Sequence, residues 1–175
     1  PQQLILRVDA NGAFEPQQAY QVLEQLAELQ VHSIEQPIAP GQPEHMAQLS
    51  RAFPVLVGLD EELIGRVDYW EKEALLEQTQ PGALILKPSL LGGLAQCIEW
   101  IGFAEEKRID WWLTSALESN IGLNAIARFS ALWQPELHQG LGTGNLYQNN
   151  FPSPLRIASG KLYLSGGPGW QVQLC

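Results

Sequence analysis

In residues 4–16, LILRVDANGAFEP, an apolar run stops abruptly at an ionisable residue, Asp9, and a turn and a helix-like segment follow. The same event returns in VHSIEQP (31–37) at Glu35, PVLVGLDEE (54–62) at Asp60 and GALILKPS (82–89) at Lys87. It returns again in WWLTSALES (111–119) at Ser115 and HQGLGTG (138–144) at Gly140. Successive positions lie 25 to 28 residues apart, the length of one strand, one helix and two loops, so the spacing predicts a βα repeat. Each unit then delivers a chemically useful residue at the C-terminal end of its strand, where βα barrels and open parallel sheets build their sites.

The intervening segments fill in the pattern. Asn11-Gly12 signals a turn and Pro16 a first helical position. Ala19, Val22, Leu23, Leu26 and Ala27 then form one apolar helix face. A shorter helix opens at Pro43 with Met46, Ala47 and Leu49, and 53–59 reads as a strand buried on both sides. Val67, Trp70, Ala74 and Leu75 mark a third helix, and Leu94, Cys97, Ile98, Ile101 and Ala104 the inward face of a fourth. A fifth strand is predicted over 109–117, a helix over 120–132 on Leu123, Ile126, Ala127 and Ser130, and a sixth strand over 137–141. Residues 152–175 break the rhythm: 155–157, 160–164 and 169–174 read as short strands without a helix. This tail is expected to pack back on the barrel or on a preceding part of the protein. A closed barrel needs eight strands in ~250 residues, and Pro1 runs almost directly into the first strand. The expectation is therefore an α/β chain, 1–175, forming part of a (β/α) barrel of about six units and lacking the first barrel strands and a domain in front.

At 175 residues and 45% hydrophobic content the chain can bury a sizeable core. Ten scattered basic residues against nineteen acids, net charge −9, give no footprint for nucleic acid. No apolar run reaches the ~18 residues of a membrane span. Cys97 and Cys175 make neither a disulfide framework nor a metal-ligand spacing, which suits a reducing, cytoplasmic setting.

Asp9, Glu35 and Asp60 end three consecutive strands, and neighbouring strand ends in a barrel lie ~5 Å apart. Like charges that close need something positive between them. Oxygen ligands of this kind suit a hard divalent cation, Mg²⁺ first. Singly, each acid reads equally as a helix N-cap or a solvated loop acid; three in phase at strand ends favour the metal. Lys87 ends the next strand, inside a run that reads as buried. It is either a salt-bridge partner for a carboxylate or a proton-handling, cation-supplying group facing the metal across a substrate. Asn11, in the turn after Asp9, and Glu61, beside Asp60, are placed to orient the ligands from behind, whereas Glu62 reads as a helix-start acid. Ser115, Glu118 and Ser119 are placed either to position substrate or to cap the next helix. The glycine run GLGTG, with Gly140, Leu141 and Gly142, lets backbone N–H groups approach an anionic ligand; it lacks the Lys-Ser/Thr of a nucleotide loop. His32, His45 and His138 share no spacing and read as structural, and Trp111-Trp112 as packing.

With Asp, Glu, Asp and Lys ending four consecutive strands, the chain resembles the enolase superfamily, in its muconate-lactonizing-type subgroup. VDANGAF (8–14), IEQP (34–37), LDEEL (59–63) and LKPSLLGG (86–93) carry the resemblance. The stretches TSALESNIGLNAIA (114–127), HQGLGTGNLYQNNFPSP (138–154) and GKLYLSGGPGWQV (160–172) are similar to the o-succinylbenzoate synthase family. The resemblance implies Mg²⁺ on Asp9, Glu35 and Asp60. It also implies that Lys87 faces a small carboxylate substrate from the side opposite a second lysine. The implied reaction is dehydration of a succinyl-hydroxycyclohexadiene carboxylate to 2-succinylbenzoate, through an enediolate, on the route to menaquinone or phylloquinone. A lysine base beside Mg²⁺ is already the known pattern of that superfamily. The family's Lys-x-Lys strand and its capping domain have no counterpart in these residues, so the chain is expected to be inactive without the N-terminal half that would bring them. Two alternatives stay open. One is an N-acylamino-acid racemase or dipeptide epimerase, for which GLGTG lacks an acid to hold an ammonium group. The other is a non-catalytic barrel scaffold.

Overall fold

The computed structural model describes residues 4–164. Five strands, β1 (Arg7–Asp9), β2 (Ser33–Glu35), β3 (Leu56–Leu59), β4 (Ala83–Leu86) and β5 (Asp110–Leu113), form one parallel sheet in chain order. Four helices make the crossovers: α1 (Pro16–Glu28), α2 (Pro43–Ala52), α3 (Tyr69–Thr79) and α4 (Leu94–Lys107); α5 (Asn120–Trp133) follows β5. A doubly wound sheet reverses its strand order at a switch point. No reversal occurs here, so the helices gather on one face and the sheet curls into an open half-barrel. Among the described residues no helix is long and apolar enough to cross a membrane.

The period of two sorts strand residues into two cores. Ile34, Val57, Leu59, Leu84, Leu86 and Leu113 face the helices and pack with Leu23, Trp100 and Ile101. Each such fully buried side chain is worth roughly 1.5–3 kcal/mol. Ala83, Ile85 and Trp112, with Leu137, make a smaller cluster from the alternate positions, on the concave face. A Cβ on Gly58 would meet Ile85 Cδ1 at 2.5 Å, so the glycine leaves the room that Ile85 fills. Arg7 spans this concave face: its guanidinium donates to the His138 carbonyl at 2.9 Å and lies 4.0 Å above the Trp112 ring, tying β1 to β5 and the segment beyond it.

Four sequence expectations need correction. The fifth strand, expected over 109–117, runs only from Asp110 to Leu113. The sixth strand shrinks to a single parallel bridge, Thr114 with Gly140. One rung of its ladder is taken by a side chain, because Gln139 Oε1 accepts the Leu113 N–H at 2.6 Å. The buried face of α3 is Lys72, Leu75, Leu76 and Thr79, while Trp70 is 75% exposed. Lys72 is tolerated there because it reaches Gln96 and Glu99 on α4 and lies 5.5 Å from the Trp100 ring centre. On α4 the buried face turns toward Trp100 and Phe103 and leaves Ile98 and Leu94 exposed, because large aromatics outweigh the aliphatic positions in buried area.

The tail holds a hairpin of β6 (Leu155–Ala158) and β7 (Lys161–Leu164). Its two-residue turn, Ser159-Gly160, has φ of 49° and 71°, the left-handed pair that suits strand twist. Leu155 and Leu162 pack against the helix-side core. The third short strand expected over 169–174 lies outside the described residues.

Candidate active site

Ladder register assembles the rim. Asp9 pairs with Glu35, Glu35 with Gly58, Gly58 with Ala83, and Leu86 with Leu113. Alternate residues share a face, so Asp9, Glu35, Asp60 and Lys87 all fall on the concave side. Asp60 stands two residues past the level of Glu35, and Lys87 two past that of Asp60. This stagger is the shear of a tilted barrel sheet. Thr114, which pairs with Gly140, is the residue in phase on the next rung. The sequence pointed one place further on, to Ser115.

Local turns fix the carboxylates. The N–H of Asn11, itself at φ 46°, donates to Asp9 Oδ1 at 2.9 Å. Asn11 thus holds Asp9 through its backbone. Gln36, fully buried at φ 38°, was missed by the sequence reading. Its Oε1 accepts the N–H groups of Asp60 at 3.1 Å and Glu62 at 3.2 Å, and its Nε2 donates to the Ile38 carbonyl at 3.0 Å. A buried amide between a strand-end acid and a proline must find partners, and that was the available signal. Glu62 does stand at a helix start, in the single 3-10 turn Glu61–Leu63, but it is buried, and its two oxygens accept the Gly41 N–H at 3.0 and 3.2 Å.

The charges are tightly coupled. Lys87 Nζ bonds Asp60 Oδ2 and lies 3.7 Å from Glu35 Oε1. The carboxyl of Glu35 is pushed from 4.5 up to about 8, by burial first, then by the charge of Asp9 and by Asp60. Glu61 is also raised, burial leading. For Lys87 burial acts downward, but the hydrogen bond and charge of Asp60, with Glu35 and Glu61, outweigh it and the net shift is upward. The ammonium is therefore held charged, and of the two readings the sequence left open the salt bridge to a carboxylate is the one present here. Among the described residues no three His, Cys, Asp or Glu side chains converge as a ready-made cation cage. The donor chemistry nonetheless fits a hard dication. All the candidate donors are carboxylate oxygens, Glu35 is raised by burial and then by its acidic neighbours, and the buried Glu61 Oε2 has no hydrogen-bond partner among the described residues.

The far side of the rim is built by loops. Ser115 Oγ shares a hydrogen bond with Thr143 Oγ1 at 2.6 Å and accepts the Leu117 N–H at 3.3 Å. Tyr147 donates to the Leu117 carbonyl at 3.0 Å. Ser119 is the N-cap of α5 but makes no side-chain cap; Asn150 Oδ1 accepts the Asn120 N–H at 2.8 Å instead. The Gly140 N–H is used by the ladder, to the Leu113 carbonyl at 2.8 Å, so it is not the free donor expected of the glycine run. Among the described residues no hydrogen bond occupies the amides of Leu141 and Gly142. The Leu141 side chain is buried and lines a cleft of about 680 Å³ between α5 and the hairpin, away from the carboxylates.

Comparison with known proteins follows the same lines. Residues 1–175 match the family described as enolase C-terminal domain-like. The chain is 52% identical over 165 residues to the o-succinylbenzoate synthase of Desulfotalea psychrophila, covering 94% of the chain and 45% of that protein. The crystal structure of MenC from Desulfotalea psychrophila LSv54 superposes with a TM-score of 0.89, at 52% identity, over 93% of the chain and 45% of that structure. Muconate cycloisomerase 1 of Rhodococcus opacus is 30% identical over 97% of the chain and 45% of its own length. The chain thus spans less than half the length of these relatives.

Proposed function

Given that the chain belongs to the enolase C-terminal domain-like family, we propose that it forms the metal-binding part of an o-succinylbenzoate synthase, a lyase of menaquinone or phylloquinone biosynthesis in a reducing, cytoplasmic setting. The observation that carries this reading is the register that turns Asp9, Glu35, Asp60 and Lys87 to one face, in a chain 52% identical to a synthase of that name. Asp9, Glu35 and Asp60 would hold Mg²⁺, with Asn11 and Glu61 orienting them. When bound, the ion supplies positive charge for a substrate carboxylate.

The chain's own residues do the rest. Lys87, kept protonated by Asp60 and Glu35, offers an ammonium to the enediolate that forms when a proton leaves the carbon next to the substrate carboxylate. The amides of Leu141 and Gly142 would donate to an anionic group of the substrate, with Ser115 and Gly140 beside them and Glu118 behind, on the Ser89 side of the β5–α5 loop. Loss of that proton and of hydroxide releases water overall. Segment 137–144 contains no acid for a substrate ammonium, which argues against a dipeptide epimerase. The remaining part of the full-length protein would complete the barrel, cover the substrate and bring the second lysine.

The test is dehydration measured for residues 1–175 and for the full-length protein. Activity only in the full-length protein, lost without Mg²⁺, is expected. A full-length protein that racemises N-acylamino acids or dipeptides but does not dehydrate would refute the reading.

A further inference from the structure

Glu118 stands just past β5, and both oxygens of its carboxylate accept hydrogen bonds. Both oxygens accept the Ala116 N–H, each at 3.0 Å, and Oε1 also accepts the Ser89 hydroxyl. Ser89 lies two residues after Lys87, in a turn where the Lys87 carbonyl accepts the N–H groups of Leu90 at 2.8 Å and Leu91 at 3.1 Å. One carboxylate therefore joins the turn that carries Lys87 to the loop beyond β5.

A second feature fixes that carboxylate. Gly122 lies in the first turn of α5, and glycine is a weaker helix former than alanine. A Cβ there would meet Glu118 Cβ at 2.8 Å and Cγ at 3.1 Å. The missing methyl is the space in which the Glu118 stem lies. Between Ala116 and Glu118, Leu117 adopts φ 63°, which a leucine rarely takes, and the bonds on either side of it hold it there.

We propose that Glu118 is a positioning residue: through Ser89 it locks the Lys87 turn to the β5–α5 loop, and Gly122 exists to seat it. This rests on the reading of Lys87 as a working group. It assigns Glu118 a role through Lys87 rather than a contact with substrate.

The experiment uses the full-length protein with Ser89→Ala, Ser89→Thr, Gly122→Ala and Lys87→Ala. Ser89→Ala is expected to lower kcat about tenfold, the scale of a slightly misplaced group, with KM little changed, and Ser89→Thr to restore it. Gly122→Ala is expected to lower kcat similarly, although alanine is the better helix former, and to speed amide hydrogen exchange at Ala116. Unchanged kcat in Ser89→Ala and Gly122→Ala, beside a Lys87→Ala enzyme that has lost activity, would overturn the tether and leave the functional reading intact. A fully active Lys87→Ala enzyme would overturn the functional reading. The Ala116 exchange rate then decides the tether alone: faster exchange in Gly122→Ala supports it, and an unchanged rate removes it.

Discussion

At the ends of β1 to β4 the candidate site side chains are placed by ladder register, whereas beyond β5 they are placed by side chains reaching over from other loops. Asp9, Glu35, Asp60 and Lys87 share a face because alternate residues must. Ser115, Leu117 and Asn120 are held by Thr143, Tyr147 and Asn150, each at least 28 residues away in the chain. The first half of the rim is thus rigid wherever the sheet is rigid. The second half stands only as long as segment 143–151 stays docked.

The sharpest way to break this contrast is to remove the residue at the end of the register-built half. Lys87→Ala in the full-length protein is expected to cut kcat by about 10²–10⁴-fold, the usual worth of a positioned acid, base or cation. Steady-state kinetics check it, and a loss under threefold would mean that the register-built half is not the working one. Gly140→Ala attacks the joint between the halves. Its Cβ would meet Thr114 Oγ1 at 2.5 Å and Cβ at 2.8 Å, so a loss of about 1–3 kcal/mol is expected from denaturant titration. Asn150→Ala should cost less, about 1 kcal/mol, by uncapping α5 from a distance. Hydrogen exchange should then quicken at Asn120 while the amides of β2 and β3 stay protected, and equal loosening of both halves would erase the distinction.

The same contrast explains what the sequence made legible. Strand-end acids recur with the period of the βα unit, and Pro16 and Pro43 stand at the helix starts, so order, face and rim follow from spacing. Lys72 was illegible because hydropathy cannot register a lysine buried by Gln96 and Glu99. Gln36 was hidden because its partners are two backbone amides 24 and 26 residues on. Asn150, capping α5 across a loop, carries no local signal. Thr114 was within reach, since it alone keeps the alternate count from Lys87, but the hydroxyl next door drew attention to Ser115. The half-strand at 137–141 read as a full strand because Gln139 looks like a strand residue until its side chain takes a rung of the ladder.

The acid rim has its own pH dependence. With its carboxyl raised from 4.5 to about 8, Glu35 contributes stability that is full below pH 4.5 and is lost as pH rises through about 8. A bound dication reverses that preference, because it needs the ionised form. The most direct measurement is calorimetric titration of the full-length protein with Mg²⁺ at pH 7 in two buffers of different ionisation enthalpy. Binding should release about 1 proton, raise the melting temperature, and lose both effects in Glu35→Gln. Binding with no proton released, or Mg²⁺ stabilising Glu35→Gln as much as the unmodified protein, would contradict the claim that these strand ends share one cation.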